Sequence, residues 1–430
     1  MFKLPKLNKK ERAWVLYDVA NSAFILTVIT ILFPILYNEV YMSHSGADWQ
    51  TGSAIFKYLT SAIALTVALL SPVIGAWSNY RGNKRKFFKI FLVIGIIGGF
   101  GIAIPGLDWL ILLVIFSISS IGYNLTNVVY DAFLVDVAPE EKMDEISSTG
   151  FAWGYIGSLV PFFFGMIPYF LVTFGILDAS MGHYAISFAF IVAVSWWLYY
   201  SLPILRDVEQ TYNIDSNENN LGKSLKRLGK TFKEIKAYRY IFLFLISYLL
   251  YIDVVNTVIR LAVNIGTDLN VSAPILLGVV IMVQFIGFPS AIIYGRLASK
   301  FGGKRMIFYG ILIYSLSIYV VSLIVSADTT YLMWVVGLLI GIAQGGIQSV
   351  SRSYFAKMVP KDKANDFFGF FSVFGRFGGI ISPFILASLA LQFGKATNEA
   401  VLFLLYPLAI ASILLFFVRP EKAKISEQQE

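Results

Sequence analysis

What most constrains this chain is a succession of twelve apolar stretches, each long enough to cross a bilayer, at about residues 14–41, 54–77, 87–104, 109–133, 147–173, 184–204, 239–265, 275–296, 306–326, 331–355, 367–392 and 398–418. Hydrocarbon offers no water to satisfy backbone N–H and C=O groups, so segments this long and apolar must pair them internally, as helices. Spanning strands would show short alternating segments, and none is visible. The sequence therefore predicts an all-α polytopic membrane protein with twelve transmembrane helices. Composition agrees, since 57% hydrophobic and 14% charged residues exclude an ordinary soluble domain. The basic, then apolar, N-terminus is like a signal peptide in outline. Its apolar run is too long and has no small-x-small cleavage site, so it reads as a retained first span.

Two of the turns are copies of each other. Spans 2 and 3 are joined by Gly75-Ala-Trp-Ser-Asn79-Tyr-Arg81-Gly82-Asn-Lys84-Arg85, and spans 8 and 9 by Gly295-Arg296-Leu-Ala-Ser299-Lys300-Phe-Gly302-Gly-Lys304-Arg305. Both glycines and the Lys-Arg pair recur at the same spacing, which predicts a chain made of two six-helix repeats. A second echo sets Asp136-Val-Ala-Pro139-Glu-Glu-Lys142-Met-Asp144 after span 4 against Lys357-Met-Val-Pro360-Lys-Asp-Lys363-Ala-Asn365 after span 10. A fainter one pairs Asp18 and Asn21 with Asp253 and Asn256. Helix rise puts Asp18 ~9 Å beyond Arg12 but Asp253 ~21 Å beyond Arg239, unequal depths for that third pair. The expected division is an N-terminal bundle over 1–205, a linker over 206–238, a C-terminal bundle over 239–418 and a tail over 419–430.

The repeated loop resembles the signature loop of the major facilitator superfamily of transporters, which lies between helices 2 and 3 and again between 8 and 9. The opening Trp14-Val-Leu-Tyr17-Asp18-Val-Ala-Asn21-Ser-Ala-Phe24, with the Asp-x-x-Asn of span 7, is similar to one branch, the unknown major facilitator family, which includes autophagy-related vacuolar effluxers. The resemblance implies a secondary transporter working by alternating access, and for the vacuolar members amino-acid efflux. It also assigns a gating role to Gly75, Asn79, Arg81, Gly82, Arg85, Gly295, Gly302 and Arg305. One departure stands out: the acidic residue the loop usually carries is Asn79 in the first copy and Ser299 in the second. Either can still cap a helix end.

Lysine and arginine concentrate in the N-terminal tail, the turns after spans 2, 8 and 10, the linker and the C-terminal tail, whereas the opposite loops carry Asp48, Asp108, Asp178, Asp268 and Asp328. By the positive-inside rule both termini and the linker are cytoplasmic, which suits a bacterial plasma membrane. Within the linker, Leu221, Leu225, Leu228, Phe232 and Ile235 fall on one helical face with lysines around the other, a basic amphipathic helix expected on the inner leaflet.

Polar residues inside the spans fall in stripes. Span 1 carries Asp18, Asn21 and Ser22; span 4 Asn124, Asn127 and Asp131; span 7 Asp253, Asn256, Thr257 and Arg260; span 10 Gln344, Gln348 and Arg352. Spacings of three, four or seven put each set on one helix face. In the superfamily these four helices line the central cavity. Lys57, Gln284 and Arg376 are single polar residues on flanking spans. Amides in spans also serve helix packing, but ionisable groups at membrane depth point to function. Asp253 or Asp18 is the expected proton acceptor, and Arg376 or Arg260 the expected attractor of a carboxylate or phosphate. Asp131 and Arg352, equivalent positions of opposite sign, are expected to pair and close the inner side.

There is no cysteine, and His44 and His183 sit in separate turns, so thiolate and metal chemistry are not expected. Gly222-Lys-Ser224 lacks the leading glycine of a phosphate loop. No nucleophile and base constellation or cofactor motif is present, and no nucleic acid is expected. The expected partners are a small polar or zwitterionic substrate, protons and the lipid bilayer, with the chain acting as a monomer. The rivals are an exporter of amphiphilic or lipid-like compounds and a non-transporting sensor.

Overall fold

In a computed structural model the chain is helical, as its apolar stretches require, and residues 6–45, 49–214, 238–268, 271, 273–378, 381–393 and 397–419 are described, with positions 222, 226 and 229. Most of the amphipathic stretch 221–236 and the tail 420–430 lie outside the described residues. The long helices are α1 (Lys9–Phe24), α2 (Phe33–Ser45), α3 (Trp49–Ser78), α4 (Asn83–Ile102), α5 (Trp109–Ala132), α6 (Met143–Thr173), α7 (Gly182–Asp207), α8 (Arg239–Asp268), α9 (Ala273–Phe301), α10 (Gly303–Ser322), α11 (Leu332–Met358), α12 (Ala364–Phe377), α13 (Ile381–Phe393) and α14 (Leu405–Phe417). Between α1 and α2 the helix widens to a π-helical stretch, Ile25–Leu32. Pro34 follows at once, and its ring nitrogen cannot donate to the carbonyl one turn back.

Ten helical stretches among the described residues are long and apolar enough to cross a membrane. Two of the twelve expected spans are not among them, for separate reasons. Helix α4 opens with Lys84, Arg85, Lys86 and Lys89, so its first turns belong at a membrane surface. The stretch 367–392 is not continuous: α12 ends at Phe377 and α13 starts at Ile381. Gly378, Gly379 and Pro383 explain the break, since glycine is a poor helix former and proline is accepted in a first turn but not in an interior.

Helix α1 packs on α6 and α7, α4 on α5, α9 and α10 on α11, and α8 on α14. The groups α1–α7 and α8–α14 meet where α3 lies along α12 and α6 lies along α9 and α11. Close approach there is permitted by glycine. A Cβ on Gly295 would stand 2.5 Å from Ser148 Cβ, and one on Gly75 would run into the Asn365 carbonyl. Gly82 and Gly302 serve the turns differently, with φ of +78° and +92° that side-chain-bearing residues rarely adopt.

Candidate functional site

The site is built from the packing of α1 against α5. Trp14 Nε1 donates to the Tyr130 carbonyl and Tyr130 Oη to the Trp14 carbonyl, each at 3.1 Å, while the two rings stack with centroids 4.7 Å apart. This reciprocal clasp fixes the helices' rotation. Asp18, one turn after Trp14, and Asp131, next to Tyr130, are thereby turned toward the same point.

Arg352 of α11 occupies that point. Its guanidinium reaches Asp18 Oδ2 at 2.9 Å and Asp131 Oδ1 at 3.2 Å, and donates to the Ser147 hydroxyl and carbonyl at 2.9 and 3.1 Å. The rings of Trp14 and Phe151 lie 4.5 and 4.6 Å from its central carbon. Arginine suits the position because its planar fork can stack on rings while serving two carboxylates, which a lysine ammonium cannot do. The lack of a side chain at Gly150 leaves room for the Asp18 carboxylate. The expected Asp131 and Arg352 contact is therefore present, joined by Asp18, which the sequence placed on the substrate path instead.

Further contacts extend this seam between the two helix groups. Ser147 Oγ donates to the Ser349 carbonyl at 2.8 Å, and Ser148 and Ser349 share a hydroxyl contact at 2.9 Å. Asp144 accepts from Ser353 at 2.6 Å and from Lys357 at 2.5 Å. On the other flank, Asn79 Oδ1 accepts from the Asn365 backbone N–H at 3.2 Å and its side-chain amide at 2.8 Å. Asn365 is the second residue of α12, so Asn79 caps that helix from across the seam. The second copy does not repeat this, because Ser299 donates to the Gly295 carbonyl of its own helix.

The two turns also differ in how their lysines are paired. Lys84 makes a buried 2.5 Å ion pair with Asp136. The residue equivalent to Asp136 in the second repeat pattern is Lys357, so the equivalent lysine, Lys304, has no acid there and donates instead to the carbonyls of Phe416 and Val418 at 2.6 and 2.9 Å. Arg85 donates to the Leu205 carbonyl, and Arg81 and Arg305 are exposed.

From the Arg352 cluster three polar stripes rise together. Asn127 and Asn124 lie ~6 and ~10 Å beyond Asp131 along α5, Gln348 and Gln344 ~6 and ~12 Å beyond Arg352 along α11, and Asn21 one turn beyond Asp18. Asn124, Asn127, Gln344 and Gln348 are half-buried and Asn21 is buried. Asn124 donates to the Ser120 carbonyl at 2.7 Å, Gln344 adjoins the buried Tyr155 hydroxyl, and Asn127 Oδ1 is buried without a partner. Gln284 Oε1 is likewise buried without a partner.

Asp253 sits apart from this cluster. Its carboxylate accepts from the N–H groups of Ile381 at 3.1 Å and Ser382 at 2.7 Å and from the Ser382 hydroxyl, so it caps α13 where the helix restarts. Asn256 spans the same break, donating to the Gly378 carbonyl at 3.4 Å. The side chains of Arg260, Arg376 and Lys57 lie outside the described residues, although their backbones are helical. Sequence reasoning missed Ser147, Asp144, Lys357, Asn365 and Ser382 as partners. Asp144, Lys357 and Asn365 had a signal, their places in the second echo.

The family model described as vacuole effluxer Atg22 like matches residues 135–428. The MFS-type transporter YxiO of Bacillus subtilis is 38% identical, with 99% of each chain covered. Autophagy-related protein 22 of Eremothecium gossypii is 20% identical over 88% of this chain and 85% of its own. Among solved structures, the major facilitator superfamily proton:xylose symporter XylE bound to 6-bromo-6-deoxy-D-glucose superposes with a TM-score of 0.68 at 15% identity, covering 95% of this chain and 94% of that one.

Proposed function

This chain belongs to the Atg22-like vacuole effluxer family within the major facilitator superfamily, and from that premise we propose that it is a secondary transporter exporting a small polar or zwitterionic solute, amino acids included, by alternating access. That it is a membrane transporter follows from its relatives; substrate, direction and coupling are the proposal. The observation that carries the reading is the seam between the two helix groups. Arg352 and its partners bind the two helix groups at the end bearing the repeated Gly-to-Lys-Arg turns, and half-buried amides continue from that seam into the bundle. A transporter needs such a closure on one side at a time, around a site near the midplane.

On this reading the chain has twelve spans in two repeats, divided at 1–205, 206–238, 239–418 and 419–430, with the seam on the cytoplasmic side of a plasma membrane and the protein acting as a monomer. Asn124, Asn127, Gln344, Gln348 and Asn256 hold the solute, and the side chains of Arg260 and Arg376 attract its carboxylate. The Asn79 cap and the close glycines form the latch, and Arg352 with its two acids forms the bolt. The proton step falls to Asp18 before Asp253. Asp253 is committed to the N–H groups of α13, whereas Asp18 must part from Arg352 whenever the seam opens, and a proton can then replace the lost cation.

The test is reconstitution of the purified protein in liposomes with an imposed pH gradient. Amino acids are offered one at a time after a thermal-shift screen, since a solute that binds the folded state raises its melting temperature. Asp18→Asn should abolish gradient-driven flux and spare solute exchange. Gradient-driven accumulation at the unmodified rate in Asp18→Asn would return the proton to Asp253.

A further inference from the structure

The segment after α7 does not leave the bundle. Gln210 lies under the first repeated turn, its Nε2 donating to the carbonyls of Ser78 and Asn79 at 3.1 Å each and of Tyr212 at 3.3 Å, while its Oε1 accepts from Lys84 N at 3.4 Å. Ile214 N donates to the same Asn79 carbonyl at 2.9 Å. Asp136 anchors the segment, accepting from the N–H groups of Thr211 and Tyr212 at 2.8 and 3.0 Å through one oxygen and pairing with Lys84 through the other. The Tyr212 hydroxyl accepts from Lys361, in the turn before α12, at 3.3 Å. Residues 210–214 thus form a strap that holds the backbone of one side of the seam and touches the other.

We infer that this strap is a working part of the closure and that Gln210 is the positioning residue for Asn79. The inference rests on the latch reading above. Helix α3 ends at Ser78, so the Asn79 peptide has no further turn to orient it. Two donors, from Gln210 and Ile214, hold its carbonyl. With that plane held, the side chain projects across the seam and its Oδ1 meets the Asn365 N–H in the first turn of α12, one of the N–H groups with no partner inside its own helix. The reach of a short amide, which here replaces a charged residue, depends on this placement.

The chain has no cysteine, so paired spin labels at Glu141→Cys and Asp362→Cys, exposed positions on opposite sides of the seam, report its opening in the full-length protein. Gln210→Ala should lower the closed-to-open ratio about fivefold, the weight of about one net hydrogen bond. Asn79→Ala should do the same, and adding Gln210→Ala to Asn79→Ala should change nothing more. That non-additivity separates positioning from general destabilisation, which would add. Gln210→Met, which keeps the volume and loses the polar atoms, serves if the alanine variant does not fold. A ratio unchanged by Gln210→Ala and Gln210→Met while Asn79→Ala lowers it overturns the inference alone, as do fully additive losses. A ratio unchanged by Asn79→Ala overturns the latch reading and the inference with it.

Discussion

Arg352 and Asp18 are 334 positions apart in the chain and 2.9 Å apart in space. One guanidinium therefore joins the first helix to α11, and with Asp131 at 3.2 Å it joins α5 as well.

The two acids should not count equally. Asp18 has 10% of its side chain exposed and Asp131 26%. Asp18→Asn leaves Arg352 with Asp131 as its one carboxylate partner, and losing the more buried of the two is expected to weaken the closure by about 2 kcal/mol. Asp131→Asn, better solvated, should cost about 1 kcal/mol. Spin-label distances across the seam give both numbers. Exchanging charges with Asp131→Arg and Arg352→Asp should restore little, because the new carboxylate would face Asp18.

Glycine to alanine changes should act as wedges. Gly150→Ala drives a methyl group into the Asp18 carboxylate, and Gly295→Ala drives one into Ser148. Each is expected to shift the population toward the state open at the seam. A cysteine placed at Ser349 should then react faster with a thiol reagent in either variant than in the unmodified background.

Restoring charge to the latch should strengthen it on one side only. Asn79→Asp keeps the Oδ1 acceptor and places a negative charge at a helix N-terminus. The closed-to-open ratio should rise about threefold, and transport should slow where opening limits turnover. Ser299→Asp should leave the ratio unchanged, since Ser299 bonds its own helix.

The cap on α13 predicts a stability difference between two conservative changes. Asp253→Asn keeps an acceptor for only one of the Ile381 and Ser382 N–H groups, which bond to different carboxylate oxygens, and should lose about 0.5–1 kcal/mol. Asp253→Ala should lose about 1–2 kcal/mol. Denaturant unfolding in detergent measures both.

The helical class and the repeated turns were legible because they are properties of short windows: an apolar run can be read without knowing what it touches. The contact between Asp131 and Arg352 was legible for a second reason, equivalent positions of opposite sign. The contact of Asp18 with Arg352 was not legible, because that partner lies 334 residues away and no local pattern names it. Asp253 looked like a free acid in a span, since nothing local says that another helix restarts beside it. The strap looked like linker, because hydropathy does not register a glutamine whose bonds all go to backbone.

The rings on either side of Arg352 determine which surroundings can influence it. Mobile ions screen charges over about 8 Å of water at physiological ionic strength, and they act only where water goes. Lys9 and Asp207, whose lysine is 75% exposed, form a 3.0 Å pair that salt can weaken. Arg352 is 4% exposed, flanked by Trp14 and Phe151, so the ions of the bathing medium screen it much less. On the alternating-access proposal its release begins where water can reach the cluster, and Asp131, the more exposed of its two acids, is that place.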